Sequence, residues 1–233
     1  MDSTTEKFDY KGKEATVIVP ENPNGNWVWR AEFLGAFDYA DQALLKKGWH
    51  IAYYHLSDMY GCDTAINMMK DFHDFVIKKY ELNSKAAIFG FSRGGLYSVN
   101  YTLKYPDDIG VLYLDAPVLD IKSWPGGLGK GEGSPINWKE CLEIYGLTEE
   151  MVKDFKKNPL DRADELIETG IPVILVAGGS DTVVPYCENG ELLAKKYKKS
   201  NVPFEVYVKP ECGHHPHSLE NPKVIVDFIE KYI

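Results

Sequence analysis

Apolar residues along this chain fall into short continuous runs, separated by stretches in which apolar positions recur every three or four residues. Continuous runs of this length suit strands buried on both faces, and the three-to-four spacing marks amphipathic helices. The first strong run, Ala15-Thr16-Val17-Ile18-Val19, is β-branched and closed by Pro20. Residues 1–13 are polar and are expected to fray or to form an edge hairpin. A turn-rich segment, 21–26, leads into Trp27-Val28-Trp29-Arg30, read as loop, and positions 36–47 carry helical spacing up to Gly48. Strand, loop and helix make the first unit.

The unit recurs. His50-Ile51-Ala52-Tyr53-Tyr54 reads as a strand followed by a helix over 64–80, then a strand over 86–89 and a helix over 95–104 that Pro106 ends. After the strand Val111-Leu112-Tyr113-Leu114-Asp115, the segment 121–158 departs from the rhythm, with a helical patch only near 138–144. A long excursion of this kind is where such folds carry a lid or substrate loop. Alternation resumes with a helix at 162–168, a strand at 173–177, a helix at 188–199, a strand at 204–208 and a helix at 222–232. The expectation is an α/β protein: one doubly wound, mostly parallel sheet in a single domain over 1–233, with a lid-like insertion after the strand ending near Asp115.

Composition narrows the classes. A hydrophobic fraction of 44% and a charged fraction of 26% are those of an ordinary globular chain. The net charge of -9 argues against nucleic acid as a partner, because the basic run 195–199 ends a helix, where lysines suit the dipole. Cys62, Cys141, Cys187 and Cys212 show no C-x-x-C spacing and read as mostly free thiols, with one pair possible. No apolar run reaches the roughly 18 residues of a membrane span. The N-terminus lacks signal-peptide features, so the reading is a soluble protein without a membrane partner, cytoplasmic, or periplasmic if a signal was removed. Oligomeric state is open at this level.

The chemistry concentrates around Gly90-Phe91-Ser92-Arg93-Gly94-Gly95, an apolar run ending in Gly-x-Ser-x-Gly before a helix. This is the pattern of a nucleophile elbow, a tight turn that lifts a serine hydroxyl above the end of a sheet. In an open parallel sheet the partners belong at the carboxyl ends of other strands. There the sequence offers Asp181 in Gly-Gly-Ser-Asp-Thr-Val-Val-Pro and His214 in Cys-Gly-His-His-Pro-His. His215 and His217 are rivals of His214, and Asp115 and Asp120 are alternative acids. The order Ser92, Asp181, His214 is that of α/β-hydrolases.

On these three motifs the chain resembles the α/β-hydrolase superfamily from about residue 16 onward, and the doubled glycine after Ser92 is similar to the prolyl-oligopeptidase-related branch, which includes small esterases. Trp27-Val28-Trp29-Arg30 and Gly-His-His-Pro-His-Ser-Leu also resemble bacterial esterases that accompany polysaccharide-degrading enzymes. The resemblance implies Ser92 as nucleophile, His214 as base and acid, and Asp181 as its orienter. It implies oxyanion donors at the Arg93 N–H and in the loop after the first strong strand, placed at Trp29 with Trp27 and Val28 as alternatives. Arg30, Trp27 and Trp124 are candidate substrate contacts, Arg30 being equally suited to a surface charge. No cofactor is expected, and no metal, since His214, His215, His217 and Cys212 have no second cluster to complete a tetrahedral set. The leading expectation is a serine-dependent hydrolase of acyl or methyl esters, on a saccharide or another small molecule. The alternatives are a small serine peptidase and a non-catalytic binding module.

Overall fold

The computed structural model describes residues 3–233. Strands β1 (Thr4–Tyr10) and β2 (Lys13–Val19) form an antiparallel hairpin. Lys11 and Gly12 between them take φ of 51° and 82°, the left-handed pair that a two-residue hairpin turn matched to strand twist requires. The polar N-terminus is thus an edge hairpin. Then follow β3 (Trp27–Arg30), α1 (Tyr39–Leu45), β4 (His50–Tyr54), α2 (Asp63–Lys79), β5 (Ala86–Phe91), α3 (Gly94–Lys104) and β6 (Ile109–Asp115). The second half holds α4 (Pro135–Tyr145), α5 (Ala163–Glu168), β7 (Val173–Gly178), α6 (Gly190–Tyr197), β8 (Phe204–Lys209) and α7 (Lys223–Tyr232).

The eight strands make one sheet in the order β1-β2-β4-β3-β5-β6-β7-β8, with β2 alone running against the rest. Alternate residues of each central strand feed two cores. On one face Trp27, Trp29, Ile88, Leu112 and Leu175 pack with residues of α2, α3, α5 and α6. On the other, Val28, Phe89, Tyr113 and Ile174 meet α1 and α7. That two-residue alternation explains why each central strand reads as continuously apolar: both faces are covered. Among the described residues no helix is long and apolar enough to cross a membrane.

One element departs from the sequence expectation. Trp27–Arg30 is a central strand, paired with β4 on one side and β5 on the other, and all four residues are buried. Four residues between turn signals make a weak pattern, and a terminal arginine disguises it further. The correction moves two candidate substrate contacts into the core. Trp27 is fully buried, stacks on Trp29 and donates Nε1–H to the Asn83 carbonyl at 2.9 Å. Arg30 is likewise 0% exposed. Its guanidinium faces Asp41 at 3.4 Å, donates to the carbonyls of Phe33 (2.8 Å) and Ala36 (2.9 Å), and lies 3.9 Å from the centre of the Phe91 ring. It therefore ties the loop after β3 to the residue preceding Ser92.

Burial raises the Asp41 carboxyl above its ordinary range, against the pull of Arg30. Arg30→Met strands that acid and should lower stability by about 3–5 kcal/mol, while Arg30→Met with Asp41→Leu should lose less. The deficit of the single variant relative to the parent should shrink as pH falls, since an acid whose folded-state pKa is raised destabilises most once it must stay ionised. Urea unfolding followed by circular dichroism at neutral and mildly acidic pH checks both expectations.

Candidate active site

β5 ends at Phe91, and the chain turns so sharply that Ser92 takes φ of 49°, an unfavourable value for a residue with a side chain. Three main-chain hydrogen bonds hold the turn: Ser92 N–H donates to Asp115 at 2.9 Å, while the Ser92 carbonyl accepts from Gly95 (2.9 Å) and Val118 (2.8 Å). Gly90 is required by space, because a Cβ there would stand 2.1 Å from Ser98 Oγ and 2.9 Å from the Gly94 carbonyl. The helix after the elbow can consequently lie flush against its own strand.

Ser92 Oγ lies 3.0 Å from His214 Nε2, and His214 Nδ1 lies 2.7 Å from Asp181 Oδ2. The other carboxylate oxygen of Asp181 accepts from the N–H groups of Val183 and Val184, both at 2.9 Å. Both carboxylate oxygens of Asp181 are thereby engaged. The Asp181 and His214 side chains are 1% and 9% exposed. The loops that carry them touch at Gly178, where a Cβ would stand 2.1 Å from the Gly213 carbonyl. Three residues that the sequence offers on separate strand ends are thus assembled into one hydrogen-bonded row.

The rivals are sorted by the same loop. Asp115 faces His217, not His214: its Oδ1 lies 2.8 Å from His217 Nδ1, and Oδ2 accepts from Ser218 N–H (2.8 Å) and the Tyr113 hydroxyl (2.6 Å). Burial first, then the neighbouring Asp115 charge, holds the Tyr113 phenol well above its ordinary range, so it stays a donor. Asp120 accepts from Lys122 N–H at 2.8 Å and stays with its own turn. His215 is exposed and stacks on Phe37 with ring centres 5.5 Å apart. Partial desolvation of the ring, then the neighbouring His217 and His214, keeps its imidazole below the usual range.

Trp29 is corrected as an oxyanion donor. It is 1% exposed, paired with Ala52 and Ile88 inside the sheet, with its indole against Tyr101. The chain leaves the sheet two residues later, after Ala31 donates to the Phe89 carbonyl at 3.0 Å. Glu32 and Phe33 follow, Phe33 with φ of 55°, and the Glu32 nitrogen is 3.6 Å from the Cβ position of Gly94. Among the described residues the N–H groups of Arg93, Glu32 and Phe33 have no protein acceptor. The turn beside the elbow thus offers free donors where Trp29 cannot.

Sequence reasoning missed Glu32. Its side chain is 1% exposed and reaches Arg93 Nε at 3.3 Å, with Ser57 Oγ donating at 3.1 Å. Burial raises its carboxyl above the ordinary range, and Arg93 opposes the shift. A cleft of about 360 Å³ opens here, lined by Tyr53, His55, Ser57 and Arg93 among others. The excursion after β6 is pinned by Glu132, whose N–H donates to the Thr182 carbonyl at 3.0 Å, and by Ser123 on Glu188 at 2.8 Å. Within it Trp124 is half-buried against Tyr60, whose hydroxyl donates to Glu140 at 2.5 Å and lies 2.8 Å from the Asn137 side chain of α4. All four cysteines are free, so the one pair the sequence allowed is not formed.

Comparison with known proteins agrees with this geometry at the level of fold. A Mycobacterium tuberculosis puromycin-hydrolyzing peptidase superposes with a TM-score of 0.69 at 16% identity, covering 98% of this chain and 38% of its own. Porphyromonas gingivalis dipeptidyl peptidase 4 gives 0.67 at 12% identity, covering 99% and 35%. The chain therefore spans well under half the length of these solved structures, and their similarity carries the α/β-hydrolase fold alone. The model of the prolyl oligopeptidase family matches residues 53–233, which include the elbow, the acid loop and the histidine loop, and the chain belongs to that family.

Proposed function

We propose that this chain hydrolyses a carboxylic acyl bond through an acyl-enzyme formed on Ser92. The observation that carries the reading is the row from Ser92 Oγ to His214 Nε2 at 3.0 Å and from His214 Nδ1 to Asp181 at 2.7 Å. A serine hydroxyl is a poor nucleophile at neutral pH and needs a base in contact. In the proposed sequence His214 Nε2 takes the hydroxyl proton as Oγ bonds to the carbonyl carbon, and Asp181 stabilises the resulting imidazolium without itself being protonated. The tetrahedral oxyanion accepts from Arg93 N–H and from the Glu32–Phe33 turn. Its collapse breaks the bond to the leaving group, which departs with the proton from His214. Water then attacks the ester on Ser92, giving its proton to His214, and a carboxylic acid leaves as His214 returns that proton to Ser92.

Family membership favours a peptide amide as the bond cleaved, and so brings forward the peptidase reading that the sequence placed second. Ester cleavage shares every step, with an alcohol as leaving group, and remains the second reading, including esters on saccharides. The cleft beside Arg93 and Glu32, lined by polar groups and by Phe33, Leu34 and Tyr53, is the proposed place for a part of the substrate away from the bond cleaved. Trp124, on the excursion, is the proposed aromatic contact at the rim.

Ser92→Ala should lower hydrolysis of an activated aryl ester by roughly 10⁴- to 10⁶-fold, as loss of a triad nucleophile does elsewhere. A fluorophosphonate probe should label the parent and not the variant. A protein that is never labelled and turns over no acyl substrate would instead be a binding module. A panel of aminoacyl and dipeptidyl arylamides, run beside acyl and methyl esters including acetylated sugars, separates the two hydrolytic readings. The peptidase reading expects kcat/KM on some amide within reach of the best ester, and ester turnover with no amide turnover overturns it.

A further inference from the structure

Three imidazoles crowd the histidine loop, and the proposed hydrolysis uses one of them. The ring centres of His214, His215 and His217 stand 4.9 Å (214–215), 4.8 Å (214–217) and 4.8 Å (215–217) apart, with the planes steeply inclined to one another. One nitrogen from each ring lies within 4.8 Å of one from each of the others. Two of the rings are already oriented as metal-binding histidines are. His214 and His217 each turn Nδ1 to a buried carboxylate, Asp181 at 2.7 Å and Asp115 at 2.8 Å, so the atom either ring can offer an ion is Nε2, which in His214 faces Ser92 Oγ at 3.0 Å. Among the described residues neither nitrogen of the His215 ring has a hydrogen-bond partner, while Phe37 stacks on the ring and sets its plane.

We propose that these three histidines bind a divalent ion of the imidazole-preferring class, with Zn²⁺ as its type, and that the bound ion switches hydrolysis off. Three nitrogens at the outer limit of 4.8 Å stand about 2.8 Å from their common centre. An inward shift of about 0.7 Å each then reaches the Zn–N bond of roughly 2.1 Å, with a fourth position left for water. Inhibition follows from the lone pair on His214 Nε2. The pair that accepts the Ser92 proton is the pair that would bind the ion, and it cannot do both. The site is dissociable and distinct from a resident cofactor, because the row at Ser92 is complete without it.

The test uses metal-stripped full-length protein. Zinc chloride should bind the Ser92→Ala variant at one ion per chain by calorimetry and raise its Tm, since a ligand of the folded state stabilises it. It should also stop aryl-ester hydrolysis by the parent, with EDTA restoring the rate. His215→Ala should weaken both binding and inhibition by about tenfold or more, each variant being referred to its own metal-free rate. Cys212→Ser should change neither, although its thiol lies 3.5 Å from the His215 carbonyl. The proposal is overturned if His215→Ala binds zinc as tightly as its parent, if Cys212→Ser abolishes binding, or if bound zinc leaves hydrolysis untouched. Calorimetry on the Ser92→Ala protein reads the site even if no acyl substrate is turned over, so the two proposals fail separately.

Discussion

A left-handed backbone at a residue that is not glycine is the constraint on which this structure rests. Conformations of that kind cost on the order of 1–3 kcal/mol and persist only where their surroundings over-determine them. At Ser92 the surroundings are the Asp115 carbonyl, which accepts its N–H, and Gly95 and Val118, which donate to its carbonyl. Two of these partners lie at the end of β6 and just beyond it. The elbow is therefore a property of two adjacent strands ending level with one another, and the hydroxyl stands proud of the sheet because the sheet stops there.

Buried charge around the elbow does related work. Arg30 faces Asp41 under the loop after β3, Glu32 meets Arg93 beside the Ser92 turn, and Asp115 holds His217 next to His214. Each pair brings an acid and a base together out of water, an arrangement whose net contribution to stability is small but whose disruption is costly. His214 itself sits on a loop, and the contact of Gly178 with Gly213 together with Asp181's two main-chain donors gives that loop a fixed seat. The row from Ser92 to Asp181 is thus positioned by contacts of the loops that carry it.

Strand and helix runs were legible because the sheet is covered on both faces, which makes β5, β6 and β7 continuously apolar, and because Gly48 and Pro106 punctuate their helices. Trp27–Arg30 was not legible, since a four-residue strand has no periodicity to detect and its arginine reads as solvent-facing. That single omission shifted the expected oxyanion donor. With β3 taken for loop, Trp29 stood free beside the site, whereas in the sheet it is paired on both edges and the free donors begin at Glu32.

The sequence by itself determined the alternation that makes an α/β sheet, the glycines without which the elbow cannot pack, and the order of Ser92, Asp181 and His214. These are local properties, written in spacing and in the absence of a side chain. Only the tertiary structure decided which acid faces which histidine, that Arg30 and Trp27 serve the core, and that Glu32 stands beside the elbow. Those outcomes depend on strand order and register, which bring residues from opposite ends of the chain within about 3 Å, and no short window of sequence contains that information.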